Sequence, residues 1–201
     1  MLKLMQLAAG DRELVQIMDA ALAEAARRAG PWLVCRPGCT QCCHGAFSIG
    51  PLDALRLRTG MGALRVSQPT LAAELEIRAQ AWIAAHQAEF PGDSRTGVLG
   101  QTDAEVERFE EFANESACPA LNPETGLCDV YAWRPMTCRV FGPPVRMGDG
   151  DALGHCELCF GDATEAQVAA CEMPLPHALE AKLLDEVPDT GETVVAYALR
   201  G

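Results

Sequence analysis

The chain has 201 residues, with 16 basic and 28 acidic side chains, a formal charge of −12 and an isoelectric point near 4.7. With 49% hydrophobic residues it has enough apolar material for a core, which argues against intrinsic disorder. Lys3 and Lys182 are the sole lysines and the arginines are scattered. A nucleic-acid partner is therefore not expected, because phosphates are neutralised by clustered Lys and Arg.

The first helix is expected from Asp11, a capping residue, through Leu14, Ile17, Met18, Ala21, Leu22 and Ala25 at helical spacing, with Gly30-Pro31 as the stop. A second helix opens at Gly50-Pro51, with Asp53 in its first turn, and is expected to end near Gly60. The third runs from about Pro69 to Phe90, with Ser67 as a cap and Pro91-Gly92 as terminator. Thr102 and Glu105 form a capping-box pair for a fourth helix reaching about Ala113. Trp82 and His86, four residues apart, read as packing neighbours.

The character changes from Cys118 onward. Residues 121–127 read as a turn between two short strands, the second covering 127–131. Arg134-Pro135 opens a short helix through Val140, which Gly142-Pro143-Pro144 breaks. Residues 145–147 and 153–158, flanking the turn residues Gly148, Asp149, Gly150 and Asp151, predict a hairpin. Helical stretches follow at about 164–173 and 176–187, then an extended segment at 194–199. The expected fold is mainly α with small β-hairpins, an irregular cysteine-rich metal-binding core packed on the helices. One domain over 1–201 is expected, with cysteine-rich metal-binding segments at 35–58 and 118–171.

Ten cysteines are the unusual feature. The N-terminal segment lacks a long apolar stretch followed by a small-residue cleavage site, and no run of 18 apolar residues spans a membrane. The expected location is the cytoplasm, where thiols stay reduced and clustered cysteines more often mean metal than disulfides. Three groups stand out. The first is Cys35, Cys39, Cys42 and Cys43, followed by His44, with Pro37-Gly38 making a tight turn. A helix beginning near Cys39 would put Cys42 and Cys43 on its face, gathering thiolates as a soft metal or an iron–sulfur cluster requires. Adjacent Cys42 and Cys43 favour a cluster, a bridged site or two neighbouring sites over a single tetrahedral ion.

The second group, Cys118, Cys128 and Cys138, sits on the hairpin and the short helix after it. Arg134 and Arg139 flank its last member and would offset thiolate charge around a bound group through charge-assisted hydrogen bonds. The third group is His155, Cys156 and Cys159, with Cys171 beyond. Its C-x-x-C reads either as half of a metal site or as a redox dithiol. Cys171, in a helical stretch, reads as a packed thiol, and neither His44 nor His155 is assigned a ligand role.

The first group resembles the signature of the zinc- or iron-chelating family named for its CxxCxxCC cluster, which includes the YkgJ-like proteins. The segment from Cys118-Pro-Ala-Leu121 through Gly126-Leu-Cys128 and Tyr131 to Arg134-Pro-Met-Thr-Cys138-Arg139-Val-Phe141 is similar to the family's second block. Ser48-Ile49-Gly50 leading into Pro51 resembles the segment after its cluster. The resemblance implies zinc or iron, the latter also as an iron–sulfur cluster, held by Cys35, Cys39, Cys42, Cys43, Cys118, Cys128 and Cys138; Cys156 and Cys159, outside the matching blocks, join the expected ligands on their C-x-x-C spacing. The metal ion is the expected partner, with no nucleic acid and no membrane; the sequence leaves any protein partner open. Two other readings stand beside it: a metal-dependent modifying enzyme similar to flagellin lysine-N-methylases, and a thiol redox protein using Cys156 and Cys159. No glycine-rich strand–turn–helix of the dinucleotide type supports a methyltransferase.

Overall fold

The computed structural model describes residues 2–148 and 152–200. Among them are eight α-helices: α1 Leu2–Ala29, α2 Pro51–Ser67, α3 Pro69–His86, α4 Asp103–Glu111, α5 Met136–Val140, α6 Glu165–Ala170, α7 His177–Leu184 and α8 Val195–Leu199. Strands β1 Gly92–Asp93 and β2 Val98–Leu99 form one antiparallel pair, and β3 Val145–Arg146 and β4 Leu153–Gly154 form another. The chain is thus mainly helical with small antiparallel pairs, the fold class its sequence predicts; β3–β4 falls where a hairpin is expected, whereas β1–β2 does not. Among the described residues, no helix is long and apolar enough to cross a membrane.

The fold divides into two compact units, each assembled from segments distant in sequence. Unit one comprises Met1–Arg36 and Met136–Val187, and unit two comprises Pro37–Pro135 and Pro188–Gly201. In unit one, α1 packs against α5 and α7. This helix begins at Leu2 rather than at Asp11, because the residues before Asp11 are mostly good helix formers. Gly10 does not end it, and Leu183 of α7 packs against that glycine. Arg27 and Arg28 occupy the last turn, where the helix dipole favours cations. Arg28 also donates to the carbonyl of Glu172 at 2.7 Å, beyond the end of α6. Thr164 opens α6 with a capping box completed by Gln167. The second expected hairpin forms as β3–β4; three of its turn residues, 149–151, lie outside the described residues.

In unit two, α2, α3 and α8 pack on one another around Leu57, Met61, Leu64, Leu75, Ala79 and Leu199. A second apolar cluster joins Ile83, Phe90, Leu99, Phe112 and Tyr197. Trp82 and His86 pack against each other with tilted rings, centroids 4.6 Å apart, as their spacing predicts. Helix α3 stops at His86 rather than Phe90, and α4 starts after Thr102, whose N–H and hydroxyl both donate to Glu105. The strand expected at 127–131 reduces to an isolated bridge between Leu121 and Cys128, followed by a 3-10 turn over Tyr131–Trp133. The segment at 194–199, expected to be extended, is the helix α8, and all five of its residues are buried. A short apolar run buried on every side has no periodicity from which to tell strand from helix.

A further departure from expectation is the length of α2, which runs on to Ser67. Gly60 lies in mid-helix, where the indole of Trp133 rests on it, and a Cβ there would stand 2.5 Å from the Trp133 Cγ. Alanine would gain about 1 kcal/mol of helix propensity, but overpacking a filled contact costs about 1–3 kcal/mol. Trp133 is held against the core of unit two and has little room to yield, so the packing cost should win. Gly60→Ala is expected to lower the melting temperature in a thermal melt, and an unchanged or raised value would refute this account.

Candidate metal centre

Among the described residues, which include all ten cysteines, no disulfide is formed. The two units share the cysteines equally. Cys39, Cys42, Cys43, Cys118 and Cys128 fall in unit two; Cys35, Cys138, Cys156, Cys159 and Cys171 fall in unit one.

In unit two the thiols are gathered by backbone hydrogen bonding. Residues 41–43 form a 3-10 turn rather than the α-helix expected near Cys39, closed by the Cys43 N–H donating to the Thr40 carbonyl at 2.8 Å. The chain then runs antiparallel to residues 116–118. Gly45 N–H donates to the Ser116 carbonyl (2.9 Å), and Cys118 N–H donates to the Cys43 carbonyl (2.7 Å). Beyond Cys118 the chain turns and pairs with 127–129: Asn122 N–H bonds to the Leu127 carbonyl (2.8 Å), and Asp129 N–H to the Ala120 carbonyl (2.9 Å). Cys42, Cys43, Cys118 and Cys128 thereby come within electrostatic reach of one another. Cys118 and Cys128 also pack against the apolar core of the unit.

The electrostatics of this group follow from burial and mutual contact. Cys42 accepts a hydrogen bond from the Cys43 thiol, which is the main cause lowering its pKa to about 6, and the positive charge of Arg134 adds to the effect. The same hydrogen bond holds the Cys43 proton in place and raises its pKa, with burial and the neighbouring thiols acting in the same direction. Burial pushes Cys118 up to about 12. It also raises Cys128, against the opposing pull of Arg134. The Arg134 guanidinium lies over the Tyr131 ring, 3.9 Å from its centroid.

Sequence reasoning missed Arg78, on α3. Its Nη2 donates to the Asp129 carboxylate at 2.5 Å and its Nε to the Pro119 carbonyl at 2.9 Å. One guanidinium thus ties down the neighbours of both Cys118 and Cys128. Nothing in the local sequence of α3 marks Arg78 out from the other arginines. His44 is turned back on its own loop, its Nδ1 lying 3.1 Å from the Thr40 carbonyl.

In unit one, Cys159 and Cys171 are buried with Ala29 and Phe160, and Cys156 lies at the margin of that cluster. The Cys159 N–H donates to the Cys156 carbonyl at 2.9 Å, closing the C-x-x-C turn. The Sγ atoms of Cys35 and Cys159 are 4.0 Å apart. Cys138 sits on α5, and the neighbouring Arg139 is buried, donating from Nη1 to Asp19 of α1 at 2.6 Å. His155 lies against Phe160, with ring centroids 5.3 Å apart. Among the described residues, no three of His, Cys, Asp and Glu stand in an arrangement that would hold a metal ion as they are.

No curated protein and no solved structure matches the chain. Residues 34–157, more than half of the chain, match the family model CxxCxxCC, described as a "putative zinc- or iron-chelating domain". The match takes in the 3-10 turn of Cys42 and Cys43 together with the paired segments that carry Cys118 and Cys128. The chain belongs to the CxxCxxCC family.

Proposed function

We propose that the chain is a metal-binding protein that holds zinc or iron, singly or as an iron–sulfur cluster, through the thiols of unit two in a reducing cytoplasmic setting. The observation that carries this reading is the hydrogen-bonded pairing of residues 43–45 with 116–118 and of 120–122 with 127–129, which gathers Cys42, Cys43, Cys118 and Cys128. Cys39, one turn earlier on the same loop, is the fifth candidate. The donor set suits the group: sulfur ligands select zinc and iron–sulfur centres over hard cations. Cys43, Cys118 and Cys128, whose thiolates burial and mutual contact disfavour, lie beside Cys42, whose thiolate is favoured, and a bound cation would stabilise all four as thiolates. Closing the thiols on an ion calls for side-chain rotation on a backbone that already brings them together.

A thiolate-bound zinc would supply structural cross-linking, whereas an iron–sulfur centre would add redox activity. Arg134 offsets thiolate charge beside Cys42 and Cys128. Metal and sulfide analysis of gently purified, reduced protein is expected to find at least one zinc or iron per chain. Colour separates an iron–sulfur centre from zinc. Because Cys43, Cys118 and Cys128 hold their protons at neutral pH, loading should release protons and occupancy should fall as the pH falls. Folded protein that carries no metal and takes up none would overturn the proposal.

A further inference from the structure

The thiol contact in unit one lies outside the metal-binding proposal for unit two. Cys35 is exposed at the end of the segment that follows α1, whereas Cys159 is fully buried beneath it, and their sulfurs are 4.0 Å apart. The contact depends on Gly142. That residue has φ +120°, and a Cβ on it would stand 3.0 Å from the Cys35 sulfur. The Gly142 carbonyl also accepts the Cys156 N–H at 3.3 Å, which anchors the C-x-x-C turn beside the same spot. Phe160 N–H donates to the Trp32 carbonyl at 3.0 Å and fixes the chain after Cys159 to the segment leading into Cys35. The C-x-x-C turn therefore presents Cys159 to Cys35, a partner 124 residues away.

We propose that Cys35 and Cys159 form a thiol-modification site for low-molecular-weight disulfides, in which exposed Cys35 takes up the disulfide and buried Cys159 resolves it. Redox-responsive cysteines are accessible thiols poised next to a resolving thiol, which is the division of exposure seen here. In the first step Cys35 gives its proton to solvent and its sulfur attacks one sulfur of a disulfide such as oxidised glutathione. One glutathione thiol leaves, and Cys35 carries the other half as a mixed disulfide. Cys159 then loses its proton and attacks the Cys35 sulfur, and the second glutathione leaves as a thiol. Two protein thiols are oxidised to one disulfide, and one oxidised glutathione is reduced to two glutathione molecules. The sulfurs must close by about 2 Å to reach bonding distance, within the range of side-chain rotation. The product staples the segment after α1 to the C-x-x-C turn inside unit one.

The test is incubation of the reduced full-length protein with oxidised glutathione, followed by peptide mapping by mass spectrometry without reduction. The expected product in the unaltered chain is a peptide pair linking Cys35 to Cys159, formed through a transient glutathione adduct. Cys159→Ala, a small apolar replacement at a buried position, should let the adduct on Cys35 accumulate to about one per chain, since no resolving thiol remains. Cys35→Ser, at an exposed position, should leave Cys159 unmodified. A link between Cys156 and Cys159, a Cys35 that stays a thiol, or an adduct on Cys35 that persists in the unaltered chain would each overturn the proposal. None of these outcomes depends on whether unit two carries metal.

Discussion

Replacing Cys118 or Cys128 by serine is expected to remove bound metal and unfold unit two together. Both side chains pack on the apolar core of that unit, and both are carried by backbone that pairs with another segment of the chain. Residues 43–45 and 116–118 are far apart in sequence, so a metal held across them would lose its site when that pairing opens. Apparent binding in structural zinc sites is worth about 10–16 kcal/mol, against a total of about 5–15 kcal/mol for a typical domain. Loss of one ligand forfeits part of the first quantity, which is a large fraction of the second. Cys42→Ser should behave in the same way. Cys171→Ala, by contrast, truncates a buried thiol in the apolar cluster of unit one, and should keep the metal at a cost of about 1 kcal/mol. Metal analysis and thermal melts of the four variants decide the matter. Full metal retention in both Cys118→Ser and Cys128→Ser would defeat the unit-two site.

Local chemistry was legible in the sequence wherever neighbouring residues determine it. Pro51 at the head of α2, the Thr102–Glu105 capping box and the turn around 121–127 each depend on residues within a few positions, and each is found where expected. The clustering of cysteines was legible for the same reason. Which clusters meet was not, because that depends on long-range pairing. Motif context groups Cys118, Cys128 and Cys138, and the division between units, at Pro135 and Met136, falls inside that group. Cys35 likewise falls in a different unit from Cys39, although only three residues separate them. Gly60 misled in the opposite sense. A glycine reads as a helix terminator, but here it serves the approach of Trp133, which lies more than 70 residues away. The start of α1 was hidden because Asp11 is a good cap in isolation, while the helix formers before it extend the helix past it.

Arg78→Ala should be the most damaging change outside the cysteines of unit two. Its guanidinium makes one bond to the Pro119 carbonyl and one to the Asp129 carboxylate, so it fixes the residue after Cys118 and the residue after Cys128 at once. The pair is mostly shielded, with side-chain exposures of 23% for Arg78 and 12% for Asp129. Breaking a fully buried ion pair costs about 3–5 kcal/mol, because the remaining charge is left uncompensated. Partial exposure of Arg78 places the expected cost at or below the lower end, about 2–3 kcal/mol. Asp129 would keep only the weaker bonds from Asn122, at 3.3 and 3.4 Å, as side-chain partners among those seen here. Arg78→Lys retains the charge but cannot make both bonds with one planar fork, so it should recover part of the loss. The double variant Arg78→Ala with Asp129→Ala should cost less than the sum of the two single changes, since the orphaned carboxylate is then absent. Because both bonds anchor backbone next to proposed ligands, metal affinity should fall along with the melting temperature in Arg78→Ala and recover in step with it in Arg78→Lys. Additive single and double changes, or an Arg78→Ala protein that melts and binds metal like the unaltered chain, would show that this arginine does not position the thiols.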